Sequence, residues 1–327
     1  MELTAIRKEW PLRTPFQIAY ETTACLETVL VEIRDGSDRG RSEAAGVSYH
    51  GETALTMLAE IEAVRSAIEA GATRAQLGAL LPAGGARNAI DCALWDLRAK
   101  QTRIPAWKLA GCYAPKSCET FFTLGLDSPQ GMAQAARNVR SRGFAKLKLK
   151  LDGSVDEARV SAVRVAVPDA TIIVDANGSW SERQLADFAV RFGELGVELI
   201  EQPLPWTADE ALREFDSPIP ICADESCQTS MSLPELSGKY DAVCIKLDKT
   251  GGLTEALDLA RLARQHGFLL MIGNMCGSSL AMAPAFLLAQ HATFVDLDGP
   301  LLNVTDWDDG IRYVGAEMTP PERSLWG

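Results

Sequence analysis

Histidine is almost missing from this chain, with three among 327 residues, so any acid–base chemistry must rest largely on carboxylates and lysines. Long apolar runs are missing too. Nothing approaches the roughly 20 residues needed to span a bilayer, and the opening Met1-Glu-Leu-Thr-Ala-Ile-Arg7 carries no secretory apolar stretch. There is no block of Lys and Arg, and the net charge is −12, which argues against nucleic acid as a partner. The eight cysteines form no CxxC pair and sit mostly in apolar segments. They are expected to be buried thiols of a reducing cytoplasm, not a disulfide frame or a zinc site.

What is present is a globular composition, 47% hydrophobic and 23% charged. The length is generous for one ordinary domain and suits a barrel with an accessory domain. Residues 1–115 have an α+β character. Two alternating segments, Leu3–Trp10 and Leu26–Ile33, precede a turn at Asp35-Gly36-Ser37, and helical patterns follow at Ala54–Glu69, Arg74–Leu80 and Ala86–Lys100. This unit is expected to cap the rest.

From residue 116 to 305 strands and helices alternate. The expected strands are Phe121–Leu126, Lys146–Leu151, Thr171–Ala176, Val197–Pro203, Ile219–Asp224, Ala242–Leu247, Leu269–Asn274 and Phe294–Asp298. Eight such strands separated by amphipathic helices indicate an α/β fold, a (β/α)₈ barrel of TIM type. A doubly wound sheet is the competing arrangement, but no GxGxxG follows the first strand. Residues 306–327 are expected to return to the capping domain.

The C-terminal ends of barrel strands carry function, and here they are unusually ionisable. Strand three ends in Asp175-Ala-Asn177, strand four in Glu201-Gln-Pro203 and strand five in Asp224-Glu-Ser226. The three carboxylates lie 26 and 23 residues apart, one βα unit each. Each alone is as readily a helix cap or the partner of a lysine. Three on consecutive strands about 4.8 Å apart point to one hard cation, and all-oxygen ligation suits a single Mg²⁺. Asn177 shares the parity of Asp175 and is expected to support the site, whereas Glu225 has the opposite parity to Asp224 and is a weaker ligand.

Lysines form a second set. Strand two reads Lys146-Leu-Lys148-Leu-Lys150-Leu, placing lysines on one face, and strand six ends in Lys246-Leu-Asp-Lys249. In an eight-stranded ring strands two and six are opposed, so a substrate on the metal would lie between Lys150 and Lys246. Crowding by Lys148, desolvation and the metal charge are expected to depress the pKa of a lysine acting as base. On strand eight, Asp296 and Asp298 share parity; two carboxylates beyond the triad point to a cationic group on the substrate.

Together Lys148-Leu-Lys150, Asp175-Ala-Asn177, Glu201-Gln-Pro203, Asp224-Glu-Ser226 and Lys246-Leu-Asp-Lys249-Thr-Gly-Gly252 resemble the enolase superfamily, in its muconate-cycloisomerase-like subgroup. The resemblance covers nearly the whole chain and implies a modified barrel with an N-terminal α+β cap. It implies metal ligation by Asp175, Glu201 and Asp224, acid and base roles for Lys150 and Lys246, and a tuning or polarising role for Lys148. Strand seven ends Ile272-Gly-Asn-Met-Cys-Gly277 without histidine, which disfavours the mandelate-racemase-like branch. In dipeptide epimerases of the subgroup an Asp-x-Asp at this place binds the free α-ammonium of the substrate, which assigns Asp296 and Asp298 that role.

The expected function is therefore a Mg²⁺-dependent isomerase, a dipeptide epimerase of the cytoplasm, with a homo-oligomeric state by analogy. The alternatives are a cycloisomerase, an o-succinylbenzoate synthase or an N-acylamino-acid racemase, and a non-catalytic metal-binding scaffold. Epimerases acting on Ala-Glu carry an arginine in the capping loop, where this chain has Glu21. An acidic side chain there is expected to favour neutral or cationic dipeptide side chains over Glu. Tyr20, His50 and Glu52 are further loop candidates for specificity.

Overall fold

A computed structural model describes all 327 residues. The N-terminal sheet is a long antiparallel hairpin, β1 (Glu2–Gln17) with β2 (Thr22–Asp35), in a register that sets Leu3 opposite Ile33 and Trp10 opposite Leu26. The register shifts between Pro11 and Phe16, a segment where two prolines remove ladder donors. A turn with Gly36 at φ 59° returns the chain as β3 (Asp38–Ala44). This third strand was not read from the sequence, because Asp38-Arg-Gly-Arg-Ser-Glu43 has no apolar alternation. Its polar groups are instead satisfied in place. The Arg41 amide donates to Asp96, its guanidinium to Asp309 and to the Leu325 carbonyl, and Glu43 accepts from Ser278. Gly40 must lack a side chain, since a Cβ would lie 2.2 Å from the Ala93 carbonyl.

Helix α1 (Ala54–Glu69) opens with a Thr53–Thr56 capping box and buries Met57, Ile61, Val64 and Ile68 at helical spacing. With α2 (Arg74–Leu80) and α3 (Gly85–Thr102) it packs on the sheet around a core of 18 buried residues.

After the two-residue strand β4 (Cys118–Glu119), eight parallel strands follow in sequential order: β5 (Phe122–Leu124), β6 (Lys146–Lys150), β7 (Thr171–Asp175), β8 (Val197–Glu201), β9 (Ile221–Ala223), β10 (Ala242–Ile245), β11 (Leu269–Ile272) and β12 (Phe294–Val295). The seam between β12 and β5 is joined by the Phe121 N–H donating to the Val295 carbonyl at 2.8 Å and by Leu297 N–H donating to Thr120 Oγ1 at 2.9 Å. The architecture is the modified TIM-type barrel with an N-terminal cap. A core of 62 residues joins barrel and helices, and a separate cluster of eight, Phe121, Ile173, Leu199, Cys222, Ala242, Cys244, Met271 and Phe294, fills the inside.

The tail forms β13 (Tyr313–Val314) and β14 (Glu317–Met318), which pair through β14 with β4. It then reaches the cap: the Trp326 indole donates to the Cys92 carbonyl and Gly327 N–H to Asp96. Of the eight cysteines only Cys92, Cys222, Cys227 and Cys244 are buried, and all are unpaired. The expectation of buried thiols thus holds for half; Cys25 is exposed because it lies on an open face of the hairpin. No helix is long and apolar enough to cross a membrane.

Candidate active site

Alternation carries the barrel interior upward in layers. Ile173, Leu199, Cys222, Cys244 and Phe294 plug its middle. Two residues further along the same strands come Asp175, Glu201, Asp224, Lys246 and Asp296, all buried. The ladder sets Lys150 opposite Asp175 and Asp175 opposite Glu201. That height match depends on an irregularity: Ile172 pairs with Val197 but Ile173 pairs with Leu199, so Glu198 is an extra residue in β8. Without it Glu201 would turn to the opposite face of the sheet.

The charges interlock. Lys150 Nζ lies 2.7 Å from Asp175 Oδ2 and 3.2 Å from Asn177 Oδ1. Lys148 Nζ stands among three carboxylates, 2.7 Å from Glu201 Oε2, 3.1 Å from Asp175 Oδ2 and 3.0 Å from Asp296 Oδ2. On the opposite side of the ring Lys246 Nζ is 2.6 Å from Asp224 Oδ2. Gly273 makes room for it, because a Cβ there would lie 3.1 Å from Lys246 Cε.

Burial opposes charge everywhere in this cluster, and the partners decide the outcome. Burial would raise Asp175, yet the Lys150 and Lys148 ammonium groups hold it down to about 2. Asp224 is held lower still by Lys246 and Lys249. Burial and then the Asp175 charge carry Glu201 up to about 7, against the pull of Lys148. Burial would lower Lys148 and Lys246, but their carboxylate partners raise both well above the ordinary lysine value. For Lys246 the nearest charge is Asp224, and that carboxylate outweighs both burial and the more distant Lys148 ammonium.

A metal ion fits here on one observation. Both carboxylate oxygens of Glu201 are buried and accept no hydrogen bond; Lys148 is close to Oε2 but outside hydrogen-bonding geometry. A buried carboxylate oxygen without a donor is costly unless a cation meets it; Lys148 meets Oε2 and leaves Oε1 open. Ligand atoms of Glu201, Asp224 and Cys244 lie within 4.8 Å of one another. The Cys244 thiol is pushed well above its usual pKa by burial and by Glu201 and Asp224, and a neutral sulfur is a poor ligand for a hard cation. Asp175 is not among those converging atoms; it shares the Lys148 ammonium with Glu201 and is the residue that would supply a third oxygen.

A cavity of about 730 Å³ lies between cap and barrel. Lys150, Asn177, Asp224, Glu225, Lys246 and Met275 line it from the barrel, and Phe16, Ile18, Tyr20, Glu21 and Tyr49 from the cap. The two opposed lysines thus face one space. Tyr20 is half-exposed, but burial of its hydroxyl and the Glu225 charge raise its pKa. Glu21 is exposed and accepts a hydrogen bond from Thr23 Oγ1 at 3.1 Å. Glu52 accepts from the Val47 and Gly85 amides, a loop-forming role, and His50 packs edge-on against Tyr49 and Trp206. Asp296 and Asp298 are buried and do not line the cavity. Asp296 accepts from Lys148 and Thr123 Oγ1, and Asp298 from the Thr123 amide at 2.6 Å. Burial and Asp296 carry Asp298 up to about 7.

Three neighbours gain definition in the structure. Glu225, the weaker ligand candidate, lines the cavity, with Oε1 accepting from Asn177 and Oε2 buried without a partner. Lys249 and Gln202 belong to the Lys246–Gly252 and Glu201–Pro203 motifs, but alternation alone assigns neither a role.

An enolase C-terminal domain-like family model matches residues 131–322, and the mandelate racemase / muconate lactonizing enzyme N-terminal domain matches residues 1–111. The chain belongs to the enolase superfamily. Within this superfamily it is 43% identical over 309 residues to the L-Ala-D/L-Glu epimerase of Escherichia coli K12, covering 94% of this chain and 96% of the other. It is also 43% identical over 303 residues to the N-acetyl-D-glutamate racemase of a Pseudoalteromonas species, covering 91% and 95%. Among solved structures, an enolase family member from Agrobacterium tumefaciens with homology to dipeptide epimerases, with sodium and L-Ala-L-Glu bound, superposes with a TM-score of 0.97 at 41% identity over 99% of both chains. Other solved dipeptide epimerases of this fold are complexed with Mg and a dipeptide.

Proposed function

We propose that this chain is a dipeptide epimerase, an isomerase that inverts the α-carbon of the C-terminal residue by 1,1-proton transfer. The observation that carries the reading is that Lys150 and Lys246, on opposed strands, line one cavity beside the carboxylate triad. One lysine removes the α-proton from one face and the other returns a proton to the opposite face. Lys148, held charged by three carboxylates, supplies fixed positive potential where the reacting carboxylate gains negative charge.

Asp175, Glu201 and Asp224 would hold one Mg²⁺. When bound, the cation offsets the carboxylates that otherwise pair with the lysines and stabilises negative charge developing on the substrate carboxylate. The Asp-x-Asp resemblance assigns the substrate α-ammonium to Asp296 and Asp298, which lie behind the cavity wall bonded to Lys148 and Thr123 and would have to be uncovered to meet it. A buried carboxylate pair, one member of which burial and its neighbour carry up to about 7, is relieved by an incoming cation.

The side-chain preference is for neutral or cationic residues over Glu. Both relatives at 43% identity are named for glutamate substrates, but no arginine lines this cavity, and Glu21 does. An N-acylamino-acid racemase is the second reading, favoured by the equal identity to the N-acetyl-D-glutamate racemase; its substrates lack the ammonium that Asp296 and Asp298 would bind. A cytoplasmic location, where unpaired thiols stay reduced, and a homo-oligomeric state complete the proposal. Incubation with dipeptides and N-acylamino acids in D₂O with Mg²⁺, followed by mass spectrometry, tests it. Deuterium entering dipeptides is expected; exchange confined to N-acylamino acids would select the second reading.

A further inference from the structure

Gln202 follows Glu201 with a backbone φ of 36°, in the left-handed region that residues with a β-carbon seldom occupy. It is fully buried, and every polar group it owns is engaged. Its side-chain Oε1 accepts from the Asp224 amide at 3.0 Å and the Ser226 amide at 3.1 Å. Its Nε2 donates to the Leu204 carbonyl at 2.9 Å and lies 3.0 Å from both Ser226 Oγ and Tyr240 OH. Its main-chain N–H donates to the Cys222 carbonyl at 2.9 Å, and its carbonyl accepts from Gly178 N–H at 2.7 Å. One residue is therefore bonded to the segments following β7, β8 and β9, which bring Asp175, Glu201 and Asp224 to the site.

The amide is also oriented from behind. Ser226 Oγ and Tyr240 OH each donate to Asp209 Oδ2 at 2.7 Å, and Lys239 Nζ holds Asp209 Oδ1 at 2.8 Å. With their protons committed to Asp209, both hydroxyls turn lone pairs toward position 202. Only a side chain with a donor on one arm and an acceptor on the other satisfies both sides. A carboxylate would face the Leu204 carbonyl and two lone pairs, and a hydrocarbon would leave the Asp224 and Ser226 amides unpaired.

We infer that Gln202 is the positioning residue of the metal site: it fixes the height of Asp224 relative to Glu201, and Asp209 fixes the sense of its amide through Ser226 and Tyr240. Gln202 is fully buried and does not line the cavity. Its effect is exerted on where the Asp224 main chain sits, and ligand placement sets affinity for an ion that demands near-ideal octahedral geometry. The inference rests on the metal reading of Asp175, Glu201 and Asp224.

Calorimetric titration of Mg²⁺ into wild type and Gln202→Met, with far-UV circular dichroism to confirm folding, tests it. Gln202→Met keeps the volume and removes the polar atoms. The Kd is expected to rise at least tenfold, while saturating Mg²⁺ returns most of kcat because all three ligands remain. A structural role alone lowers Tm but leaves the folded fraction with the wild-type Kd, and that result overturns the inference. Should Gln202→Met fail to fold, Tyr240→Phe removes one hydroxyl outside the site, and a threefold or larger rise in Kd is expected; an unchanged Kd overturns the inference there too. A wild-type protein that binds no Mg²⁺ sinks the metal reading itself and this inference with it, whereas tight wild-type binding with unaltered variants sinks only the inference.

Discussion

The Lys249 ammonium reaches Asp224 twice, at 2.5 Å from its backbone carbonyl and 2.6 Å from Oδ1, and lies 2.9 Å from the Cys244 carbonyl. Lys249 is 1% exposed. It thus fills one side of the Asp224 carboxylate and leaves Oδ2 to the cavity side, where Lys246 now holds it. Removing one partner of a buried ion pair typically costs about 3–5 kcal/mol. Asp224 retains Lys246, so Lys249→Met is expected to lose about 3 kcal/mol, measured by urea denaturation of the metal-free protein. A midpoint equal to wild type would show that the contact is dispensable.

In the proposed reaction the two opposed lysines, which line one cavity, share the proton transfer. Lys150→Ala and Lys246→Ala are each expected to stop epimerisation in both directions, by 100-fold or more, since general acid–base groups contribute about 10²–10⁴-fold. One variant retains exchange of the α-proton of a single epimer with solvent deuterium, because removal still proceeds from the intact side. Wild-type epimerisation by either variant would falsify the two-base assignment.

Glu201 Oε1 is buried without a partner, and Oε2 meets only the Lys148 ammonium outside hydrogen-bonding geometry, so the site should depend on its cation. Chelation is expected to abolish turnover. Asp175→Asn, Glu201→Gln and Asp224→Asn should each lose Mg²⁺ affinity by calorimetry along with activity. Full activity in metal-free buffer contradicts the assignment.

Helices were legible because their signals are local. Ala54–Glu69 and Arg74–Leu80 show the residues expected from apolar spacing. The barrel strands were recognised but drawn too long, since ionisable residues such as Asp224 lie just past the ladder, where alternation no longer sets direction. The β3 strand was hidden because its polar side chains find partners from α3, the tail and the Ser278 turn, which no window of sequence displays. The convergence of Asp175, Glu201, Asp224, Lys150 and Lys246 at one end of the barrel was legible from their places at strand ends. Their heights were not, since the extra residue Glu198 leaves no mark in the spacing.

Asp248, two residues past Lys246, joins barrel to cap by accepting from the Ala45 and Gly46 amides at 3.0 and 2.8 Å. Burial carries it up to about 6, although those bonds pull the other way. A carboxyl whose folded pKa exceeds its unfolded value of about 3.9 binds more protons when folded, so its contribution to stability falls as pH rises from about 4 through 6 and is level above that. The difference is on the order of 3 kcal/mol at 1.36 kcal/mol per pKa unit. Asp248→Asn keeps an acceptor and cannot ionise. Its Tm is expected to exceed wild type at pH 7.5 and to match it near pH 4; equal Tm values at both would show that Asp248 does not carry this penalty.

In the proposed function specificity turns on Glu21, which lines the cavity from the cap with only Thr23 Oγ1 as a side-chain partner. An arginine in its place would differ by two units of charge. Opposite charges about 4 Å apart interact by about 4 kcal/mol at an effective dielectric of 20, and 1.36 kcal/mol is a decade in rate. Glu21 is exposed, so screening reduces that figure, yet a third of it still orders substrates. Ala-Lys and Ala-Leu are therefore expected to exceed Ala-Glu in kcat/KM by tenfold or more. Tyr20, Phe16 and Ile18 offer apolar surface to a leucine side chain, and Glu21 offers charge to a lysine, so the order between those two reports which of them the side chain meets. Glu21→Arg should move the ranking toward Ala-Glu without changing Mg²⁺ affinity, because Glu21 belongs to the cap and not to the carboxylate triad. If Ala-Glu ranks first in the wild type, the charge argument fails. An unchanged ranking in Glu21→Arg would place discrimination elsewhere on the cap, with Tyr20 and Tyr49 the next residues to replace.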